Sequence, residues 1–151
     1  MKRNPMLVAL MDEYTKAVRE LQQVLLPIQN ENFILVRDAN TKDPDCKSIQ
    51  SVVKHTVEAG YHYASYFDPT LPIKPEELPT LESAFCFLDK MLDETHHALT
   101  NWYEKPQDEI DSMTFDVSWG VTYTIEQLLE HAIVHILRHR RQIEHFLMAK
   151  N

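Results

Sequence analysis

Four apolar stripes, each advancing in mostly alternating steps of four and three residues, constrain this chain more than any other feature. The first runs Leu7, Met11, Tyr14, Val18, Leu21, Leu25, and the second Ile49, Val52, Val53, Thr56, Gly60, Tyr63, Phe67. The third runs Leu81, Phe85, Leu88, Leu92, Thr95, Leu99, Trp102, and the fourth Ile125, Leu129, Ala132, Ile136, His139, Ile143, Phe146. This spacing gathers apolar side chains on one narrow side of an α-helix. Four such helices, each of roughly twenty residues, predict an all-α four-helix bundle.

Capping residues set the expected boundaries. Asn4 is a natural N-cap with Pro5 at the first helical position, and Pro27 closes the first helix. Ser48 opens the second, which ends before Asp68-Pro69; Thr80 opens the third, with Pro106 beyond its end. Thr124-Ile-Glu-Gln127 has the form of a capping box and starts a last helix reaching about Ala149. Two connections are longer than tight turns, Ile28 to Lys47 and Glu104 to Tyr123. In the latter, alternation about Ser118-Trp119-Gly120 predicts a short hairpin before the last helix. Long ordered loops often border a functional mouth.

The 151 residues suit a single domain, 1–151, able to bury its own core. A formal net charge of -8 disfavours nucleic acid and anionic membrane surfaces as partners. The apolar run from Met6 meets Asp12 and Glu13 too soon for a signal peptide or a spanning helix. With only Gly60 and Gly120 present, phosphate-cradling glycine loops are absent. Cys46 and Cys86 suggest no disulfide framework, so a reducing, cytoplasmic setting is expected.

The histidines can be ranked by direction. At about 100° per residue, His139 falls inside the apolar stripe of the last helix and His135 at its edge; His131 is rotated outward by about 40°, and His145 faces nearly the opposite side. On the second helix, His55 and His62 share one flank, and either can point into a cleft with the last helix. Two histidines four residues apart, with a third from another helix, suit a three-nitrogen metal site; they are equally compatible with hydrogen-bonded core residues. A ring buried without a partner costs about 1 to 3 kcal/mol, so an inward pair needs hydrogen bonds, water or a metal.

The segment Ser48-Ile-Gln-Ser-Val-Val-Lys-His55-Thr-Val-Glu58, the Trp119-Gly120 pair, and Leu128-Leu-Glu-His131-Ala-Ile-Val-His135-Ile-Leu-Arg-His139-Arg-Arg-Gln142 together resemble the DinB-like superfamily of four-helix bundles. That superfamily includes the YfiT-type metal-dependent hydrolases and related thiol-dependent transferases. The resemblance spans essentially the whole chain. It implies His55, His135 and His139 as ligands of a divalent ion such as nickel or zinc, and a homodimer; it is also what favours His55 over His62. Where the family commonly reads His-Arg-Gly-Gln, this chain has Arg141 before Gln142, which bears on helix packing at that position.

Three imidazoles leave an ion at least one open position for activating water, a thiol or a carbonyl. The expected substrate is therefore a small molecule, including a low-molecular-weight thiol, and the reaction hydrolysis or thiol transfer. Glu58, one turn after His55, is the candidate general base, with a solvated glutamate as the alternative. Arg138, Arg140 and Arg141 suit a substrate carboxylate or phosphate, or simply complement the helix dipole. A non-catalytic metal-binding or stress-response bundle is the competing reading.

Overall fold

The first connection has to carry the chain across the bundle, and this determines where the site forms. The computed structural model describes residues 3–72 and 77–149. Residues 1, 2, 73–76, 150 and 151 of the expected domain lie outside the described residues. Four long helices, α1 (Pro5–Leu25), α3 (Ile49–Phe67), α4 (Leu81–Ala98) and α6 (Ile125–Met148), make up the bundle. Helix α1 packs against α4 and α6, and α3 packs against the same two. The order around the bundle is thus α1, α4, α3, α6, with α1 opposite α3 and α4 opposite α6. Both long connections join helices on opposite corners, which is why neither is a tight turn.

Each long helix begins at a side-chain cap. Asn4 accepts from the Leu7 amide at 3.0 Å. Ser48 with Ser51, Thr80 with Ser83, and Thr124 with Gln127 form reciprocal capping boxes. Leu7, Leu21, Val52, Val57, Leu88, Met91, Leu129, Ile136 and Ile143 meet in one buried cluster drawn from all four helices. Gly60 lies where a Cβ would overlap the Met91 side chain, so its lack of a side chain lets α3 approach α4 closely.

The third helix stops at Ala98, earlier than its stripe suggests, and Leu99 and Tyr103 are buried in the turns that follow. The connections also hold two short helices that no periodicity signals, α2 (Asn30–Ile34) and α5 (Gln107–Ser112). The expected hairpin is present. Strand β1 (Thr114–Asp116) pairs antiparallel with β2 (Thr122–Thr124), Phe115 opposite Tyr123, and Gly120 takes φ +82° at its tip. The Ser118 amide donates to the Tyr66 hydroxyl at 2.9 Å, latching the hairpin to α3. Among the described residues, no helix is long and apolar enough to cross a membrane.

Candidate metal centre

Helices α3 and α6 are neighbours, and their facing sides bring three histidines together. His55 Nε2 lies 3.1 Å from His135 Nε2, and His139 Nε2 lies 3.1 Å from the same atom. One ring nitrogen from each residue falls within 4.8 Å of the other two. His62, the alternative on α3, is elsewhere: it meets the Tyr66 hydroxyl and Ser118 Oγ, each at 3.2 Å.

The outer nitrogens determine what the inner ones can do. His55 Nδ1 faces Asp45 Oδ2 at 3.2 Å, and His139 Nδ1 faces Gln142 Oε1 at 2.8 Å. Each oxygen acceptor places the proton of a neutral ring on Nδ1, leaving a lone pair at Nε2. The Gln142 orientation is independently anchored, because its Nε2 donates to Cys46 Sγ at 3.1 Å. His135 Nε2 carries at most one hydrogen and can satisfy only one of its two 3.1 Å neighbours. Between neutral rings, the other contact is left without a hydrogen of its own, and with the His135 proton on Nδ1 both contacts set lone pair against lone pair.

A cation among the three rings removes that conflict. Protonation is disfavoured: burial, then the neighbouring His139 and His55, push His135 down to about 3. Burial also lowers His139, against the opposing effect of Gln142. A divalent ion fits better. Two nitrogens bound to one ion at about 2.0–2.1 Å in a tetrahedral array lie about 3.3 Å apart, close to the 3.1 Å separations seen here.

Asp45, Gln142 and Cys46 are the residues around the triad that the sequence does not single out. Asp45 comes from a 3-10 turn, Pro44–Cys46, packed against α3. Asp43 caps that turn by accepting from the Asp45 amide at 2.9 Å, and its other carboxylate oxygen accepts from the Cys46 thiol at 3.4 Å. Burial pushes the Cys46 thiol above its ordinary pKa, and Asp43 adds to this against the lowering effect of Gln142. The turn's Asp-Pro start is readable locally; its docking on α3 is a tertiary event.

A cavity of about 570 Å³ opens over the triad, bordered by Asp43, Cys46, Arg138, Arg141 and Phe146. His145 also stands at its rim, although the helical wheel sends it nearly opposite the stripe. Arg140 turns away from it and pairs with Glu20 and Glu144. Arg141 is exposed beside the cavity, so it does not crowd a helix contact. On the other side of His55, a groove of about 390 Å³ is bordered by Glu58, Ala59, His62, Tyr63 and Trp119. The Glu58 carboxylate stands 4.0 Å from Lys54 Nζ. His131 stays out of the triad and stacks on Trp119, ring centroids 5.3 Å apart.

The family model for the DinB family matches residues 6–149. A search of curated proteins finds no match to the chain. With nearly its whole length matched, the chain belongs to the DinB family.

Proposed function

We propose that this DinB-family chain binds a divalent metal ion, nickel or zinc, through Nε2 of His55, His135 and His139, and acts on a small molecule as a metal-dependent hydrolase or thiol transferase. The observation that carries the reading is the approach of two lone-pair nitrogens to His135 Nε2 at 3.1 Å while Asp45 and Gln142 occupy the outer nitrogens. Held by three neutral imidazoles, such an ion supplies a Lewis acid with an open position, able to lower the pKa of water or a thiol or to polarise a carbonyl. Asp45 and Gln142 orient the rings and raise their basicity. Glu58 is the carboxylate we assign to proton transfer, because Asp45 is engaged by His55.

A second reading, in which the bundle holds the ion without turnover, is favoured by the engagement of the nearby carboxylates. Asp45 is bonded to His55, Asp43 to its own turn, and Glu58 stands near Lys54. A cytoplasmic setting is supported by the free state of both cysteines. A homodimer is supported by exposed Ile34, Leu35 and Val36, which Arg37 brings near exposed Leu147 and Met148 by donating to the Phe146 carbonyl.

Protein purified without a histidine tag should contain near-stoichiometric nickel or zinc by elemental analysis, with a sharp loss in His135→Ala. A metal-free protein that cannot be reconstituted would refute the reading. Loaded protein should then be assayed on esters, amides and thiol conjugates. Metal-dependent turnover abolished by His55→Ala and reduced by Glu58→Gln selects the enzyme; its absence selects the non-catalytic bundle. Light scattering reads the dimer separately.

A further inference from the structure

The six arginines of this chain divide into two groups. Arg19 pairs with Asp89, Arg140 with Glu20 and Glu144, Arg37 donates to two backbone carbonyls, and Arg3 lies over the Tyr103 ring. The guanidiniums of Arg138 and Arg141 make no hydrogen bond or ion pair with any described residue. These two are the arginines that border the cavity over the triad.

Their position is electrostatically unfavourable for a site that holds only a cation. Arg138 and Arg141 line the same cavity as His55, His135 and His139, so their positive charges stand beside the place an ion would take. Asp43 is engaged by its own turn and Asp45 by His55, so neither carboxylate pairs with a guanidinium, and the charge of a divalent ion is left without a directly opposed side chain to balance it. In a chain of net charge -8, a mouth carrying two unpaired guanidiniums is a local exception to the field of the whole molecule. An oxyanion entering the cavity resolves all three features: it pairs with the planar donors, offsets the ion, and is selected against the surrounding negative potential.

We propose that Arg138 and Arg141 are a substrate-recognition pair, and that the small molecule acted on or held at the triad carries a carboxylate or phosphoryl group, which the two guanidiniums bind at the cavity mouth. This rests on the metal-site reading for its placement beside the ion, while the anion contacts themselves belong to the arginines. Because both side chains are exposed, replacing them removes charge without opening the core.

The test is calorimetric binding of succinate and, separately, methylphosphonate to zinc-loaded and zinc-free protein, using wild type, Arg138→Gln/Arg141→Gln, and the equal-charge control Lys16→Gln/Lys90→Gln. Metal affinity is measured on the same samples. Wild type should bind at least one anion, and the arginine variant should weaken that binding by about a hundredfold, from charge-assisted bonds worth roughly tenfold each. The lysine control should change it by less than about threefold, the scale of screened surface charge. Zinc affinity of the arginine variant should equal or exceed that of wild type. Preference for one anion identifies the source of the oxyanion as carboxylate or phosphoryl.

Equal anion binding by wild type and the arginine variant, or no binding of either anion to wild type, overturns the proposal. Failure of wild type to take up zinc overturns the metal reading instead. In that case arginine-dependent anion binding to the zinc-free protein would still support the recognition pair.

Discussion

Helices α3 and α6 carry two groups of histidines that differ in what their nitrogens meet. His62 and His131 lie among Tyr63, Tyr66, Trp119 and Tyr123, where rings pack on rings and His62 is satisfied by hydroxyls. About one turn away, His55 and His139 have outer nitrogens held by Asp45 and Gln142, and both direct their inner nitrogens at Nε2 of His135. The first group meets the hairpin through Ser118 and Trp119; the second gathers three ring nitrogens that could hold a metal ion. Residue type is shared, and His131 is half-buried as His55 and His135 are, so the difference lies in the surroundings of the rings.

The comparison is broken most directly by removing a nitrogen from each group. His135→Ala should lower metal affinity by more than about a hundredfold, beyond what loss of an outer-sphere partner costs. Asp45→Asn should lower it by about 10- to 100-fold, because the His55 ring loses its orienting carboxylate; equilibrium competition with a chelator measures both. Unchanged affinity in Asp45→Asn would mean that the Asp45 contact has no hold on the ligand.

Acid sharpens the contrast. The metal-free protein should lose stability as pH falls from about 6.5, where the unfolded chain begins to protonate histidine, towards the folded value of about 3 for His135. The sign follows from the unfolded state binding the proton more readily, so stability is full above the unfolded pKa and declines below it. Urea melts across pH 4 to 7 should show a shallower decline in His135→Gln than in wild type. The smallest effect belongs to the aromatic group: His131→Phe keeps a ring beside Trp119 and should change stability by less than about 1 kcal/mol. Its metal content should be unaltered.

How legible each part was depends on the range of the interactions that make it. The long helices declare themselves through periodicity and through Asn4, Ser48, Thr80 and Thr124, all of which act within three residues of their targets. The hairpin was legible for the same reason. Helices α2 and α5 were not, being too short to show a period. His135 and His139 follow from their direction on one helix, whereas His55 and His62 share a flank and were separated by family resemblance. Gln142 sits three residues after His139 on the same face and was within reach of helical geometry. Asp45 and Cys46 were not, because a turn within a crossover reveals nothing locally about the helix it will pack against. Arg138, Arg140 and Arg141 read as one basic run, yet only the packing with α1 separates Arg140, tied to Glu20, from the two that face the cavity.

The central claim concerns individual nitrogen atoms, and long-range ¹H–¹⁵N NMR of the histidine rings tests it at that level. On titration with zinc, Nε2 of His55, His135 and His139 should all shift to values typical of metal-bound imidazole, with the proton of His55 and His139 on Nδ1. His62 and His131 should keep their metal-free spectra. Zinc shifts confined to His62 or His131, or a triad whose nitrogens do not respond to any divalent ion, would contradict the account.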